Sequence, residues 1–127
     1  MTSLFGKCLP LLAVTLVALP LAAQAAQPFE VKAFDDAQAA GKSILVEVTA
    51  PWCPTCAKQK PIIEGLEAGK PQLTVFNIDF DSAKDLLKRF GVQYQSTLIV
   101  FKGKTEVGRS TGQTDPQAII ALVDKGL

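Results

Sequence analysis

The sequence has no histidine and only one tryptophan and one tyrosine. The missing imidazole excludes the commonest metal ligand, and it also excludes Ser-His and Cys-His nucleophile pairs. Most hydrolase mechanisms are therefore ruled out. An excess of either charge is missing too, because 13 lysine and arginine residues face 12 acidic residues for a net charge of +1. We therefore expect no nucleic-acid partner and no electrostatic attraction to an anionic membrane surface.

The amino-terminal part of the 127-residue chain differs in composition from the rest. Lys7 is the only charged residue among residues 1–25, and an apolar stretch at residues 8–23 leads to the small residues Ala23 and Ala25. This pattern predicts a cleavable export signal at residues 1–25, with cleavage after Ala25. The alternative is an uncleaved anchor, for which the apolar stretch is shorter than the roughly 18 to 20 residues that a membrane span needs.

Residues 26–127 are then the single predicted domain, and they contain two cysteines, Cys53 and Cys56. A bond between them closes only a small ring, so it restricts the unfolded chain little and is a poor stabilising device. A single close pair in an exported chain therefore indicates a redox function in an oxidising compartment.

Hydrophobic runs and turn residues predict alternating helices and strands in this domain. The run at residues 43–49 is apolar and β-branched, as expected of a strand covered on both faces. We expect Pro61 to kink a helix at residues 53–68, and Asp81-Ser82 to cap a helix that ends at Phe90. The other predicted elements are a short helix at 34–40, strands at 73–79, 97–102 and 105–109, and a final helix opened by residues 114–116.

This order of elements predicts an α/β fold with a mixed central sheet and helices on both faces. A right-handed crossover makes the first two predicted strands parallel, and a hairpin turn at Gly103-Lys104 adds antiparallel strands at one edge. The cysteine pair then lies where the central strand leads into a helix, whose amide hydrogens and dipole stabilise an anion. We expect Cys53, the leading cysteine, to meet both the dipole and solvent, which favours its thiolate. Cys56 lies on the same helical face and can displace a partner from a mixed disulfide.

Residues 50–56, with the sequence Ala-Pro-Trp-Cys-Pro-Thr-Cys, resemble the W-C-x-x-C active site of the thioredoxin family. The segment at 45–53 is especially similar to protein disulfide isomerase domains, and Pro61 matches the family's helix kink. The resemblance covers nearly all of residues 26–127 and implies a thioredoxin-like fold. A bare C-x-x-C also occurs in zinc sites, but Trp52, the preceding strand and the element order make the signal specific.

The resemblance also implies roles for individual residues. Cys53 would be the attacking thiol, Cys56 the resolving thiol, and Glu47 a buried acid that exchanges a proton with Cys56. Desolvation in an apolar strand is expected to raise the pKa of Glu47. The remaining implied substrate-binding residues are Trp52, which shields the sulfurs and docks partners, Pro54 and Thr55, which tune the redox potential, and Ser96 and Thr97, which face the sulfurs. The alternatives are that Trp52 is an ordinary packed aromatic and that Glu47 finds a local hydrogen-bond partner or reaches solvent.

The chain departs from the family pattern at two positions. Ser96 stands where thioredoxins generally have a cis-proline, and a cis bond without proline costs about 2.5 to 4 kcal/mol, so we expect a trans peptide. The amide and hydroxyl of Ser96 are each candidates to bond a thiolate or to change partner pairing, with plain sequence drift as the alternative. Val75 stands where many thioredoxins carry a lysine, which deprives Glu47 of a counter-charge.

These features predict a periplasmic thiol–disulfide oxidoreductase that works without a cofactor or metal, as a monomer. Its partners would be cysteine-containing client proteins and a membrane thiol electron donor or acceptor. The absence of histidine between the cysteines favours a reductase. One alternative is a metal or iron–sulfur protein in which a dimer supplies four thiolates from two Cys53 and Cys56 pairs. The other is a redox-inert binding module.

Overall fold

The computed structural model describes residues 26–127, and the predicted signal at residues 1–25 lies outside the described residues. The described part contains five strands and four helices. Their bounds are β1 Gln27–Pro28, α1 Val31–Ala39, β2 Ser43–Thr49, α2 Pro54–Gly69, β3 Leu73–Asp79, α3 Lys84–Phe90, β4 Thr97–Lys102, β5 Thr105–Thr111 and α4 Pro116–Asp124.

The five strands form one mixed sheet in the order β1-β3-β2-β4-β5. Strand β2 lies at its centre, where Leu45 pairs with Val75 of the parallel strand β3 and with Val100 of the antiparallel strand β4. The hairpin formed by β4 and β5 places an antiparallel strand at one edge. The predicted mixed α/β sheet is therefore confirmed.

Helices cover both faces of the sheet. Successive residues of a strand point to opposite faces, so the apolar residues of β2 contact helices on both sides. On one face, Val46 and Val48 pack with aromatic residues that include Phe34 of α1 and Phe76 of β3. On the other face, Leu45 packs against α2 and α4 through apolar residues that include Ile63, Leu66, Ile119 and Val123. This double burial explains why six of the seven residues of β2 are buried.

The described structure differs from the sequence prediction at the start of two helices. Helix α1 begins at Val31 rather than at residue 34. Asp81 and Ser82 do not cap α3, which begins at Lys84 and has no side-chain cap. Asp79 accepts hydrogen bonds from the backbone amides of both residues instead, so they lie in a turn before the helix.

The predicted start of α4 and the predicted hairpin turn agree with the fold, whereas β5 extends to Thr111, two residues beyond its predicted end. Asp115 caps α4 by accepting the amides of Gln117 and Ala118, and Pro116 occupies the first helical turn, where its missing amide costs nothing. Gly103 has a φ of 56° in the turn between β4 and β5, a conformation that glycine adopts readily. Pro61 lies inside α2, as predicted.

None of the helices in residues 26–127 is long and apolar enough to cross a membrane.

Candidate active site

The two cysteines lie at the junction between β2 and α2 and form a disulfide. Cys53 is the N-cap residue of α2, and its Sγ accepts a hydrogen bond from the Cys56 amide at 3.0 Å. Pro54 begins the helix and is exposed, while Thr55 is half-buried. The sulfur of Cys53 therefore occupies the place where a helix amino terminus stabilises negative charge.

Solvent exposure does not distinguish the two cysteines, which corrects the expectation that only Cys53 meets solvent. Cys53 is 4% exposed and Cys56 is 6% exposed. Their surroundings differ in hydrogen bonding instead, because the Cys53 Sγ accepts an amide hydrogen bond and the Cys56 Sγ lies 4.0 Å from the Val48 carbonyl oxygen. In a thiolate pair this arrangement favours the anion on Cys53, since an amide stabilises a thiolate and a carbonyl oxygen repels it.

Trp52 lies beside the disulfide with 57% of its surface exposed. Its indole Nε1 donates a hydrogen bond to Asp81 Oδ2 at 2.9 Å, and the ring meets the edge of Phe80 with 6.3 Å between centroids. The ring is thus held in place at the surface rather than packed in the core. An exposed, oriented aromatic next to the disulfide is suited to contact a partner.

Glu47 lies in the middle of β2 and is buried. Asn77 is opposite it on β3 and donates a hydrogen bond from Nδ2 to Glu47 Oε1 at 3.0 Å. Burial raises the pKa of Glu47, although the Asn77 hydrogen bond and the charge of Lys60 oppose the rise. Glu47 is therefore both a desolvated acid and a locally hydrogen-bonded one. Val75, at the position of the missing lysine, packs in the apolar core, and the charge of Lys60 reaches Glu47 from α2.

A cavity of about 880 Å³ lies beneath the disulfide, between α2 and the β3 side of the sheet. Both cysteines and Glu47 line it together with polar residues that sequence reasoning missed, namely Lys60, Glu64, Glu67 and Asn77. The signal for the α2 residues was present, because positions 56, 60, 63 and 67 recur at the spacing of one helical face. The cavity gives the buried acids a route to solvent.

Ser96 lies in a trans peptide, as predicted, since residues 26–127 contain no cis bond. Its backbone adopts a φ of 58°, in the left-handed region. The Ser96 amide donates to the Val48 carbonyl at 2.7 Å, and its hydroxyl donates to the Gln95 carbonyl at 2.5 Å. Both of its donors are therefore used by backbone carbonyls in the disulfide form, and neither bonds to sulfur.

Gln59 links α2 to the loop that contains Ser96, a role that was not predicted from the sequence. Its side chain is buried, and Nε2 donates to the Ser96 carbonyl at 3.2 Å and to the Gln113 carbonyl at 2.8 Å. Nothing in the local sequence indicates this role, because it appears only when α2 packs over the loop. The loop that contains Ser96 is thus tied to the helix that carries the cysteines.

Tyr94 lies in the loop before β4 and Thr97 is the first residue of β4, and the two residues have opposite exposures. The Thr97 hydroxyl is buried and donates to the Tyr94 carbonyl at 2.8 Å, so it closes the loop rather than facing a partner. Tyr94 is 64% exposed and was missed by sequence reasoning. Within the described residues, no group of three or more potential metal-ligating side chains comes together.

The fold and the site together define a class of protein. A C-x-x-C disulfide at the amino end of a helix that follows the central strand of a mixed sheet is the arrangement of a thiol–disulfide oxidoreductase with the thioredoxin fold. The Thioredoxin family model matches residues 25–125. The chain therefore belongs to the thioredoxin family.

Individual relatives agree with this assignment. The chain is 37% identical over 92 residues to a thioredoxin of Chlamydia muridarum, covering 72% of this chain and 89% of that protein. It is 42% identical over 78 residues to a protein disulfide-isomerase of Neurospora crassa, covering 58% of this chain and 21% of that protein. The crystal structure of Trxlp from Edwardsiella tarda superimposes with a TM-score of 0.74 at 40% identity, covering 78% of this chain and 98% of that one. The protein is thus a thiol–disulfide oxidoreductase that acts on cysteine-containing proteins.

Proposed function

We propose that the protein is a periplasmic reductase of client disulfides, in which Cys53 attacks and Cys56 resolves. The observation that carries the proposal is the amide hydrogen bond to the Cys53 Sγ at the start of α2. The export signal predicted at residues 1–25 supports the location. The Pro-Thr pair between the cysteines supports the direction, because it lacks the histidine that makes some family members strong oxidants.

The proposed reaction begins with the reduced dithiol. The Cys53 thiolate attacks a client disulfide, forms a mixed disulfide and releases one client thiolate. Glu47 then accepts the proton of the Cys56 thiol, and the Cys56 thiolate attacks the Cys53 sulfur. The second client thiolate leaves, two electrons have passed to the client, and the enzyme holds the disulfide seen in the structure.

The remaining residues would serve partner binding and redox tuning. Trp52 offers its exposed ring beside the sulfurs. Pro54 and Thr55 lie between the cysteines, where they adjust the stability of the Cys53 thiolate. Ser96 and Thr97 shape the facing loop through their backbone, since their side chains are buried. A membrane thiol protein would restore the dithiol, and the enzyme would act as a monomer.

Trapping of mixed disulfides tests the assignment of the two cysteines. Cys56→Ser should accumulate covalent complexes with client proteins, because the resolving thiol is missing, whereas Cys53→Ser should accumulate almost none. The measurement is non-reducing electrophoresis of the tagged variants after acid quenching. Equal trapping by both variants would overturn the assignment.

Separate measurements test the direction, the location and the cluster alternative. A reduction potential near the roughly −270 mV of thioredoxin supports a reductase, and one near roughly −120 mV supports an oxidase. Fractionation and the mass of the mature chain test export and cleavage after Ala25. A visible chromophore in the purified protein that Cys56→Ser abolishes would favour the metal or iron–sulfur alternative.

A further inference from the structure

Glu67 is a buried carboxyl group for which residues 26–127 supply no hydrogen-bond donor to Oε1. It lies on the face of α2 that carries Cys56, lines the cavity beneath the disulfide, and is only 7% exposed. Its Oε1 is buried and has no hydrogen-bond partner within residues 26–127. A buried carboxylate in this state destabilises the fold, because burial removes hydration that nothing replaces.

The charged groups around the cavity leave Glu67 without a cation. Lys60, which also lines the cavity, lies 3.8 Å from Glu64, and Lys70 forms an ion pair with Asp124 of α4 at 2.9 Å. The other charged groups that line the cavity are acids, Glu47 from β2 and Asp79 from β3. Glu67 therefore faces mainly negative charge.

Burial and the charges of Glu47 and Glu64 raise the pKa of Glu67 to about 7. The pKa of Glu47 is raised as well, chiefly by burial. Two interacting carboxyls in one cavity lose their protons in sequence, and the first ionisation opposes the second. With its pKa at about 7, Glu67 changes its charge near neutral pH in the cavity that Glu47 also lines.

We propose that Glu67 is a positioning residue for proton transfer at Cys56, acting through Glu47 by setting how strongly that carboxylate holds a proton. The proposal rests on the proposed role of Glu47. When Glu67 is ionised, its charge makes Glu47 a stronger base. The proton then leaves the Cys56 sulfur for a Glu47 oxygen, the sulfur keeps its electron pair, and the thiolate attacks Cys53. Glu47 afterwards returns the proton to solvent through the cavity.

The test is the pH profile of the resolving step in Glu67→Gln. Reduced protein is mixed with an aromatic disulfide whose thiolate is coloured, so that a first release reports attack by Cys53 and a second reports resolution by Cys56. Glu67→Gln removes the negative charge that Glu67 acquires as the pH passes about 7, so Glu47 should be a weaker base above that pH. The part of the second-release profile that rises near pH 7 should therefore be lost, so that the acid limb moves down by roughly 0.5 to 1 pH unit and the plateau falls.

Glu64→Gln is the matched control, since it removes an acid one turn away that is exposed and paired with Lys60. Its shift should be smaller than that of Glu67→Gln. Glu67→Met removes the same charge without an amide and should reproduce the Glu67→Gln shift. An unchanged midpoint in both Glu67 variants, or an equal shift in Glu64→Gln, would overturn the proposal.

Glu47→Gln separates this inference from the role on which it rests. A slower second release in Glu47→Gln, together with unshifted pH profiles in the Glu67 variants, would reject the proposed role of Glu67 and support that of Glu47. An unchanged rate of the second release in Glu47→Gln would show that Glu47 has no catalytic role in the resolving step. In the double variant, Glu67→Gln should produce no further shift, because its effect acts through Glu47.

Discussion

The backbone of Ser96 is strained, and the surrounding hydrogen bonds hold it in that conformation. A φ of 58° places its Cβ near the following carbonyl, which costs about 1 to 2 kcal/mol for a residue other than glycine. The Ser96 amide donates to Val48, and its carbonyl accepts from Gly112 at 3.0 Å and from Gln59. These bonds hold the loop that contains Ser96 in its observed conformation. Ser96 therefore occupies a position where glycine would have less backbone strain.

Substitutions at Ser96 separate the strain from the hydroxyl bond. Ser96→Gly should change stability by no more than about 1 kcal/mol, with relief of strain offset by loss of the hydroxyl bond and by the flexibility of the unfolded chain. Ser96→Ala keeps the strain and loses the bond to the Gln95 carbonyl, so it should be less stable than the wild type by about 1 kcal/mol. Urea denaturation of the oxidised proteins measures both. A Ser96→Ala protein that is more stable than Ser96→Gly would contradict the assignment of strain to this residue.

At the scale of elements, the strands that form the centre of the sheet were predictable and the shortest strand was not. The bounds of β2, β3 and β4 agree with the sequence prediction because their continuous apolar runs are buried on both faces. Strand β1 consists of the exposed residues Gln27 and Pro28, which have no pattern and depend on pairing with β3. The Asp81-Ser82 cap was wrong because Asp79, the last residue of β3, bonds their amides first.

The residues of the active site also divide into those that were predictable from the sequence and those that were not. The residues of the W-C-x-x-C motif were predictable because their positions are local to one junction between a strand and a helix. Gln59 was not predictable, since its partners are loop carbonyls that only tertiary packing brings to α2. Glu67 was missed although its spacing from Cys56 places it on the same face of α2, which is the signal that a polar residue lining this cavity leaves in the sequence.

Gln59→Leu tests the connection between α2 and the loop that contains Ser96. The substitution removes two hydrogen bonds from a buried side chain and leaves the Gln113 carbonyl without its donor, so the fold should lose about 2 to 3 kcal/mol. Amide exchange near Ser96 and Gly112 should accelerate more than exchange in β2. Gln117→Leu, at an exposed helical glutamine, is the matched control and should change stability by less than about 0.5 kcal/mol. A uniform acceleration of amide exchange across the sheet would show that Gln59 does not act locally on the loop that contains Ser96.

At the scale of the whole molecule, the sheet divides the protein into two apolar cores and leaves few large apolar side chains exposed. Among residues 26–127, these exposed side chains are Val31, Trp52, Tyr94 and Leu127. The cavity beneath the disulfide differs from these apolar cores, because buried acids lie there between α2 and the sheet.

These acids should make the stability of the folded protein fall as the pH rises. The pKa of Glu67 is about 7 in the fold against 4.5 when unperturbed, so between these values the folded state binds more protons than the unfolded state. Its favourable contribution is complete below about pH 4.5 and is lost as the pH passes 7. The raised pKa of Glu47 acts in the same direction. The lowered pKa of the exposed Asp79 acts in the opposite direction, below its ordinary range.

Urea denaturation of the oxidised protein at about pH 5 and pH 8 measures this dependence. The wild type should lose about 1 to 2 kcal/mol across the interval, less than the full shift implies because the cavity opens to solvent and screens the charge. Glu67→Gln has no carboxyl to ionise there and should lose less than half as much, so it becomes the more stable protein at pH 8. Glu64→Gln should follow the wild type, since its side chain is 61% exposed. A wild type whose stability does not fall over this interval would show that Glu67 ionises as easily in the fold as in the unfolded chain.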